Sequence, residues 1–165
     1  MGLSPTKNLG FPGAGEAGIL GGINCLSGFD PIAVPMVAHD NGRAVPKRIL
    51  VVDDNPAIRG ALRRILEFND QWTVCGEAVD GRDGVEKAEQ LRPDLVVLDL
   101  SMPVMNGLEA SRILHQSMPN LPVILCSLHS DEVLHREASA AGVNAVVSKA
   151  HNMETLIQKA RELLR

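Results

Sequence analysis

The chain has 165 residues, of which 45% are hydrophobic and 22% are charged, and its formal net charge is -4. This composition excludes a basic surface made for nucleic acid or for an anionic membrane, and no uninterrupted apolar run is long enough for a membrane-spanning helix. The three cysteines are far apart and lack the spacing of a zinc site. They indicate a reducing compartment, so we expect a cytoplasmic protein without a membrane partner.

Residues 1–46 differ in composition from the rest of the chain. They contain nine of the 15 glycines, half of the prolines and only five charged residues. Such a segment buries too little apolar surface to offset the entropy lost on ordering, so we expect a disordered Gly/Pro-rich extension. A second interpretation is that translation starts near Met36 and that the residues before it are not made.

The stretch Gly13–Gly18 within this segment matches the GxGxxG pattern of dinucleotide-binding loops. That pattern binds a pyrophosphate only where a strand turns into a helix. Pro12 comes directly before it, no strand is predicted there, and Gly21 and Gly22 interrupt any following helix. We therefore interpret the match as a chance occurrence, and a dinucleotide-dependent enzyme is the weakest of the functions considered.

From Lys47 onward, short apolar runs alternate five times with amphipathic segments. The predicted strands are residues 49–52, 72–78, 95–98, 122–126 and 145–147. The first predicted helix starts at Asn55-Pro56, and the next three cover residues 82–91, 108–116 and 131–141. The fifth predicted helix is capped by Asn152. The apolar face of the first helix comprises Ile58, Leu62, Ile65 and Leu66. Five such units predict a single α/β domain over residues 47–165, with a doubly wound parallel sheet in the flavodoxin-like order 2-1-3-4-5.

Polar side chains stand at the carboxyl ends of four predicted strands. Asp53 and Asp54 follow strand 1, Asp99 follows strand 3, and Ser127 and Lys149 follow strands 4 and 5. These strands are neighbours in the order 2-1-3-4-5, so we expect the five side chains in one pocket. Three carboxylates repel one another unless a cation lies among them, and oxygen ligands with room for water suit Mg²⁺. A lysine and a hydroxyl beside that ion predict a site for a phosphoryl group moving onto a carboxylate.

Four stretches of this sequence resemble the receiver domain of two-component response regulators over residues 47–165. They are ILVVDD ending at Asp54, LDLSMPVMNG around Asp99, VILCS ending at Ser127 and VVSK ending at Lys149. The resemblance implies that Asp99 is the phosphoacceptor and that Ser127 and Lys149 contact the phosphoryl group. The implied magnesium ligands are Asp54, Asp99, the main-chain carbonyl of Ser101 and, through water, Asp53.

The resemblance implies a regulatory domain in phosphorelay signalling rather than an enzyme. Its phosphate would come from a sensor histidine kinase or a phosphotransfer protein, and it would signal by binding another protein. The sequence ends at Arg165, after the fifth predicted helix, so we expect a stand-alone receiver without a DNA-binding domain.

Two positions depart from the family pattern. Val146 lies where the family usually has Tyr or Phe, and Ala150 lies where it usually has Pro. The aromatic side chain takes part in the family's conformational switch. The alternative of a constitutive interaction module that is not phosphorylated therefore remains open.

Overall fold

Five strands and five helices alternate in the residues that the computed structural model describes, which are 45–128, 131–150 and 153–165. The elements are β1 Lys47–Val52, α1 Pro56–Glu67, β2 Trp72–Ala78, α2 Gly81–Leu91, β3 Leu95–Asp99, α3 Gly107–Ser117, β4 Val123–Ser127, α4 Glu132–Ala140, β5 Ala145–Ser148 and α5 Met153–Leu163. None of these helices combines the length and the hydrophobicity needed to span a bilayer. Residues 1–44 of the predicted extension, with its GxGxxG match and Cys25, lie outside the described ranges.

The strands form one parallel sheet in the order β2-β1-β3-β4-β5, which confirms the predicted topology. Strands β3, β4 and β5 each extend one residue beyond the predicted end, so Asp99 and Ser127 are the last residues of their strands rather than the first residues after them. In the register of the sheet, Asp99 pairs with Cys126 and Ser127 pairs with Ser148. The polar ends of the central strands therefore lie at one edge of the sheet.

The core has two layers because β1, β3 and β4 are apolar on both faces of the sheet. One cluster contains Ile49, Leu62 and Leu156 and joins α1 and α5 to the sheet. The other contains Leu50 and Leu114 and joins α2, α3 and α4 to the opposite face. Continuous apolar runs are expected where both faces of a parallel strand are buried, so the core holds the strand ends in fixed positions.

Side-chain caps define the beginnings of four helices. In each case the cap side chain accepts a hydrogen bond from a backbone N–H of the first turn, which otherwise lacks a partner within the helix. The caps are Asn55, Asp80, Asn106 and Asp131. The cap predicted for the last helix, Asn152, lies outside the described residues.

The apolar face of α1 is buried less completely than its sequence pattern predicts. Leu62 and Leu66 are buried, whereas Ile58 and Ile65 remain partly exposed. Ile65 lies in an open groove between α1 and α5, which Phe68 and Ile157 also line. Half of the predicted face therefore borders solvent, and the hydrophobic contribution of this helix is smaller than full burial of four side chains would give.

Candidate functional site

Three carboxylates meet at the carboxyl edge of the sheet. Asp53 and Asp54 follow β1, and Asp99 ends β3, which pairs directly with β1. One oxygen of each carboxylate lies within 4.8 Å of the other two. Asp53 and Asp99 are buried, whereas Asp54 is exposed. The cluster is therefore open to solvent on the side of Asp54, where an ion or a phosphodonor could enter.

Lys149 supplies a positive charge between two of these carboxylates. Its Nζ atom lies 2.6 Å from Oδ2 of Asp53 and 2.7 Å from Oδ1 of Asp99. Its backbone N–H donates to the carbonyl of Ser127 at 2.7 Å, which holds it beside the end of β4. Burial acts against the charged amine, but hydrogen bonds to Asp53 and Asp99 outweigh this effect and raise the pKa of Lys149. The ammonium group is therefore charged at neutral pH.

Lys149 offsets only part of the cost of burying the charged Asp99 carboxylate. Burial raises the pKa of Asp99, and the charge of Asp53 adds to the rise. The hydrogen bond from Lys149 acts in the opposite direction but does not cancel the effect of burial. A further cation nearby would stabilise the charged form of a carboxylate in such an environment. The donor set of three carboxylates fits Mg²⁺, which binds oxygen ligands and keeps part of its water shell.

Two further donors hold Asp53 and Asp54, one at the side chain of Asp53 and one at the main chain of both residues. The backbone N–H of Asn55 donates to Oδ1 of Asp53 at 2.9 Å. Arg59 donates from Nη1 to the carbonyl of Asp53 at 2.8 Å and to that of Asp54 at 3.2 Å. Arg59 is not among the residues that the sequence predicts for the site. A signal was available, because side chains early in a helix lean toward its N-terminus, and that end of α1 begins at the acidic pair.

The other two predicted site residues lie at the same edge. Ser127 is buried at the end of β4, the strand next to β3. Ser101 is exposed in the loop that follows Asp99. The predicted phosphoryl contact and the predicted carbonyl ligand are thus on the two segments that flank Asp99. Val146, at the position of the family's aromatic residue, packs against the cluster shared with α2, α3 and α4.

The loop between Asp99 and α3 is strained at Val104. Its φ of 68° is unusual for a β-branched residue. The backbone N–H of Met105 donates to the carbonyl of Pro103 at 2.7 Å and closes a three-residue turn around Val104. Strain of this kind tends to persist at functional loops, where the surrounding structure imposes it. Here it lies in the loop that follows Asp99.

Gly107 allows the same loop to fold against Asp99. A Cβ at this position would overlap the carbonyl oxygen of Asp99 and a methyl group of Leu125. We expect Gly107→Ala to lower the free energy of unfolding by about 1–3 kcal/mol, the usual cost of overpacking. Urea unfolding measures the change.

Gly60→Ala is the matched control, because a Cβ at Gly60 in α1 would meet nothing within 4 Å. Since alanine is the better helix former, this control should gain about 0.5–1 kcal/mol. Equal urea midpoints for the Gly107→Ala and Gly60→Ala variants would contradict the close approach of Gly107 to Asp99.

Comparisons with known proteins show which family this chain resembles in sequence. The sequence model of a family described as the response regulator receiver domain matches residues 49–161. The chemotaxis protein CheY of Thermotoga maritima is 35% identical over 112 residues, which are 68% of this chain and 92% of that protein. The transcriptional regulatory protein YdfI of Bacillus subtilis is 35% identical over 109 residues, which are 66% of this chain and 51% of that protein.

A solved structure extends the likeness to the fold. The response regulator domain of CheB from Thermotoga maritima superposes with a TM-score of 0.67 at 31% identity, covering 74% of this chain and 97% of that one. The chain spans about half the length of the first curated relatives it matches, which are transcriptional regulatory proteins. The similarity to those relatives therefore covers one part of each of them.

Proposed function

Because the chain belongs to the response regulator receiver family, we propose that it acts in phosphorelay signalling by accepting a phosphoryl group on Asp99. The donor is a sensor histidine kinase or a phosphotransfer protein, and the phosphorylated domain binds a downstream protein. The observation that carries the proposal is the position of Lys149 Nζ, 2.6 Å from Asp53 and 2.7 Å from Asp99, beside the exposed Asp54. We place this activity in the cytoplasm, in keeping with the free thiols of Cys75 and Cys126.

The transfer itself needs little beyond positioning and charge. A carboxylate oxygen of Asp99 bonds to phosphorus while the bond from phosphorus to the donor imidazole breaks, and the electron pair stays on the imidazole nitrogen. Lys149 pairs with one phosphoryl oxygen, and the Ser127 hydroxyl donates a hydrogen bond to a different phosphoryl oxygen. A Mg²⁺ ion held by Asp54, Asp99, the Ser101 carbonyl and, through water, Asp53 would neutralise charge on the phosphoryl oxygens.

We assign the output surface to α4, β5 and α5. Ser127 and Lys149 respond to charge at Asp99, and they lead into these elements. Helix α4 is weakly anchored, because its buried residues are Leu134 and Ala138 while Val133 is 54% exposed. Small forces can therefore shift it. The expectation of a receiver that acts without an attached output domain stays a prediction, since the match covers about half of relatives such as YdfI.

A constitutive interaction module is the second candidate, and Val146 is the observation that favours it. This residue is only partly buried and packs against the cluster that includes Leu134 of α4. A valine has no large side chain that could change sides when Asp99 is phosphorylated. In this candidate the fold binds its partner in one state, and phosphate has no part in the signal.

Incubation with acetyl phosphate and Mg²⁺ separates the two candidates. The phosphoacceptor gains the mass of a single phosphoryl group, and hydroxylamine removes it because the product is an acyl phosphate. Removal of Mg²⁺ by a chelator stops the gain. A chain that takes up no phosphate under these conditions would support the constitutive module.

Asp54→Ala should weaken Mg²⁺ binding by at least ~10-fold. Loss of a group that only orients a metal ligand already weakens binding by about this factor, and Asp54 is proposed as a ligand itself. The exposed Asp54 is the carboxylate of the cluster that an entering ion meets first. Calorimetric titration measures the affinity. Asp70→Ala removes the same charge from the turn before β2, at the other end of the sheet, and should bind Mg²⁺ like the unmodified chain. Unchanged affinity in Asp54→Ala would refute the ligand assignment.

A further inference from the structure

Arg59 is poised between the acidic cluster and the neighbouring edge of the sheet. Its Nη1 atom donates to two successive carbonyls, at 2.8 Å to Asp53 and at 3.2 Å to Asp54. The side chain of Arg59 is 14% exposed, so water competes little with the carbonyls for its N–H groups. Because Asp53 is buried, loss of this donor would leave a buried carbonyl without one of its partners, which is costly.

Glu77 on β2 orients the guanidinium group of Arg59. Its Oε2 atom lies 3.3 Å from Nε of Arg59, and its Oε1 atom lies 2.7 Å from Nε of Arg63. The hydrogen bond from Arg63 is the main cause of the lowered pKa of Glu77, and Arg59 adds to it. Glu77 is therefore a carboxylate at neutral pH and holds both guanidinium groups.

We propose that Arg59 is a positioning residue for the acidic site and that Glu77 keeps it in place. By binding two successive carbonyls, Arg59 fixes the direction in which the side chains of Asp53 and Asp54 leave the main chain. Its cationic Nη1 donates to these carbonyls rather than to the carboxylates themselves, so its role is to hold the main chain that carries them. The inference rests on the proposed function, because the site that Arg59 orders is the one assigned to Mg²⁺ and phosphate.

Arg63 provides the matched control that the chain itself offers. It shares Glu77 with Arg59, but its other contacts are Glu67 at 3.1 Å and the carbonyl of Val74 at 3.4 Å. It therefore has the same ion-pair partner, and within the described part of the chain its hydrogen bonds do not reach the acidic loop, residues 53–55. An effect that comes from losing the ion pair with Glu77 alone would therefore appear in variants of both arginines.

The test compares Arg59→Gln, Arg59→Lys and Arg63→Gln in the full chain. Partners that orient metal ligands typically change metal affinity 10- to 100-fold, so we expect Arg59→Gln to weaken Mg²⁺ about 10-fold by calorimetry. Arg59→Lys keeps the charge and should recover part of the affinity, and Arg63→Gln should bind like the unmodified chain. A second measurement uses the metal-free protein, in which the amide resonances of Asp53, Asp54 and Asn55 should move only in the Arg59 variants.

Two results would overturn the inference. One is an Arg59→Gln variant with unchanged Mg²⁺ affinity and unchanged amide resonances in the acidic loop. The other is an equal loss of affinity in Arg59→Gln and Arg63→Gln, which would indicate a general weakening of α1. If the unmodified chain takes up no phosphate but Arg59→Gln still weakens Mg²⁺, the proposed function fails and the positioning role stands.

Discussion

Replacing Asp99 with asparagine should abolish the uptake of phosphate from acetyl phosphate in the presence of Mg²⁺. The amide nitrogen and oxygen cannot form the acyl phosphate that a carboxylate forms. Asp99 ends β3, with the lysine Nζ at 2.7 Å and two further carboxylates within 4.8 Å. The measurement is the hydroxylamine-labile label, which should fall to the background of an unreacted sample.

The matched control is Asp94→Asn, at the amino end of β3. Asp94 accepts a hydrogen bond from the backbone N–H of Arg48 at 2.7 Å, far along the strand from the acidic cluster. This variant should keep the label of the unmodified chain. Label at the unmodified level in Asp99→Asn would show that phosphate goes to another residue.

The Asp99→Asn substitution should preserve or increase the stability of the metal-free fold. Burial raises the folded-state pKa of Asp99 above its unfolded value. Between these two values the folded chain holds a proton that the unfolded chain has lost, so the contribution of Asp99 to stability falls as pH rises through that window. Asp99→Asn lacks this titration. Urea unfolding at several pH values should therefore show a smaller decrease for the variant.

Replacing Lys149 with methionine should lower the free energy of unfolding of the metal-free chain by about 3–5 kcal/mol, the cost of breaking a buried ion pair at one end. Methionine keeps much of the aliphatic stem but leaves Asp53 and Asp99 facing each other without the ammonium group. The side chains involved are poorly solvated, at 15% exposure for Lys149 and 2% for Asp53. Urea unfolding in the presence of a chelator measures this loss.

Mg²⁺ should restore part of the stability of the Lys149→Met variant, because a divalent ion supplies positive charge to the same carboxylates. The increase in melting temperature on adding Mg²⁺ should therefore be larger than in the unmodified chain. Lys159→Met removes an exposed lysine that pairs with Glu162 at 2.8 Å, and it should melt like the unmodified chain. If Lys149→Met and Lys159→Met unfold at the same urea concentration, the buried pairs of Lys149 are not as described.

The alternation of apolar runs and amphipathic segments was sufficient to predict the order β2-β1-β3-β4-β5. The run from Leu95 to Leu98 in β3 is apolar without interruption, as is typical of a parallel strand covered on both faces of its sheet. Once that order is set, the ends of β1, β3 and β4 must be neighbours. The five side chains proposed for the site could therefore be chosen from the sequence, because each of them stands at or just after a strand end, whereas the Ser101 carbonyl was proposed from the family resemblance alone.

Only the tertiary structure determined which of those residues pair with one another and which are buried. Lys149 pairs with Asp53 across 96 positions of sequence, and no local pattern states that one ammonium group lies between two carboxylates. The contrast between the buried Asp53 and the exposed Asp54 likewise depends on which elements cover each side chain. The contact of Arg59 with two carbonyls and the partial exposure of Ile65 depend on side-chain direction and on the spacing of α1 from its neighbours. Periodicity identifies the face on which a residue lies, but only the packed chain determines its distance to a partner.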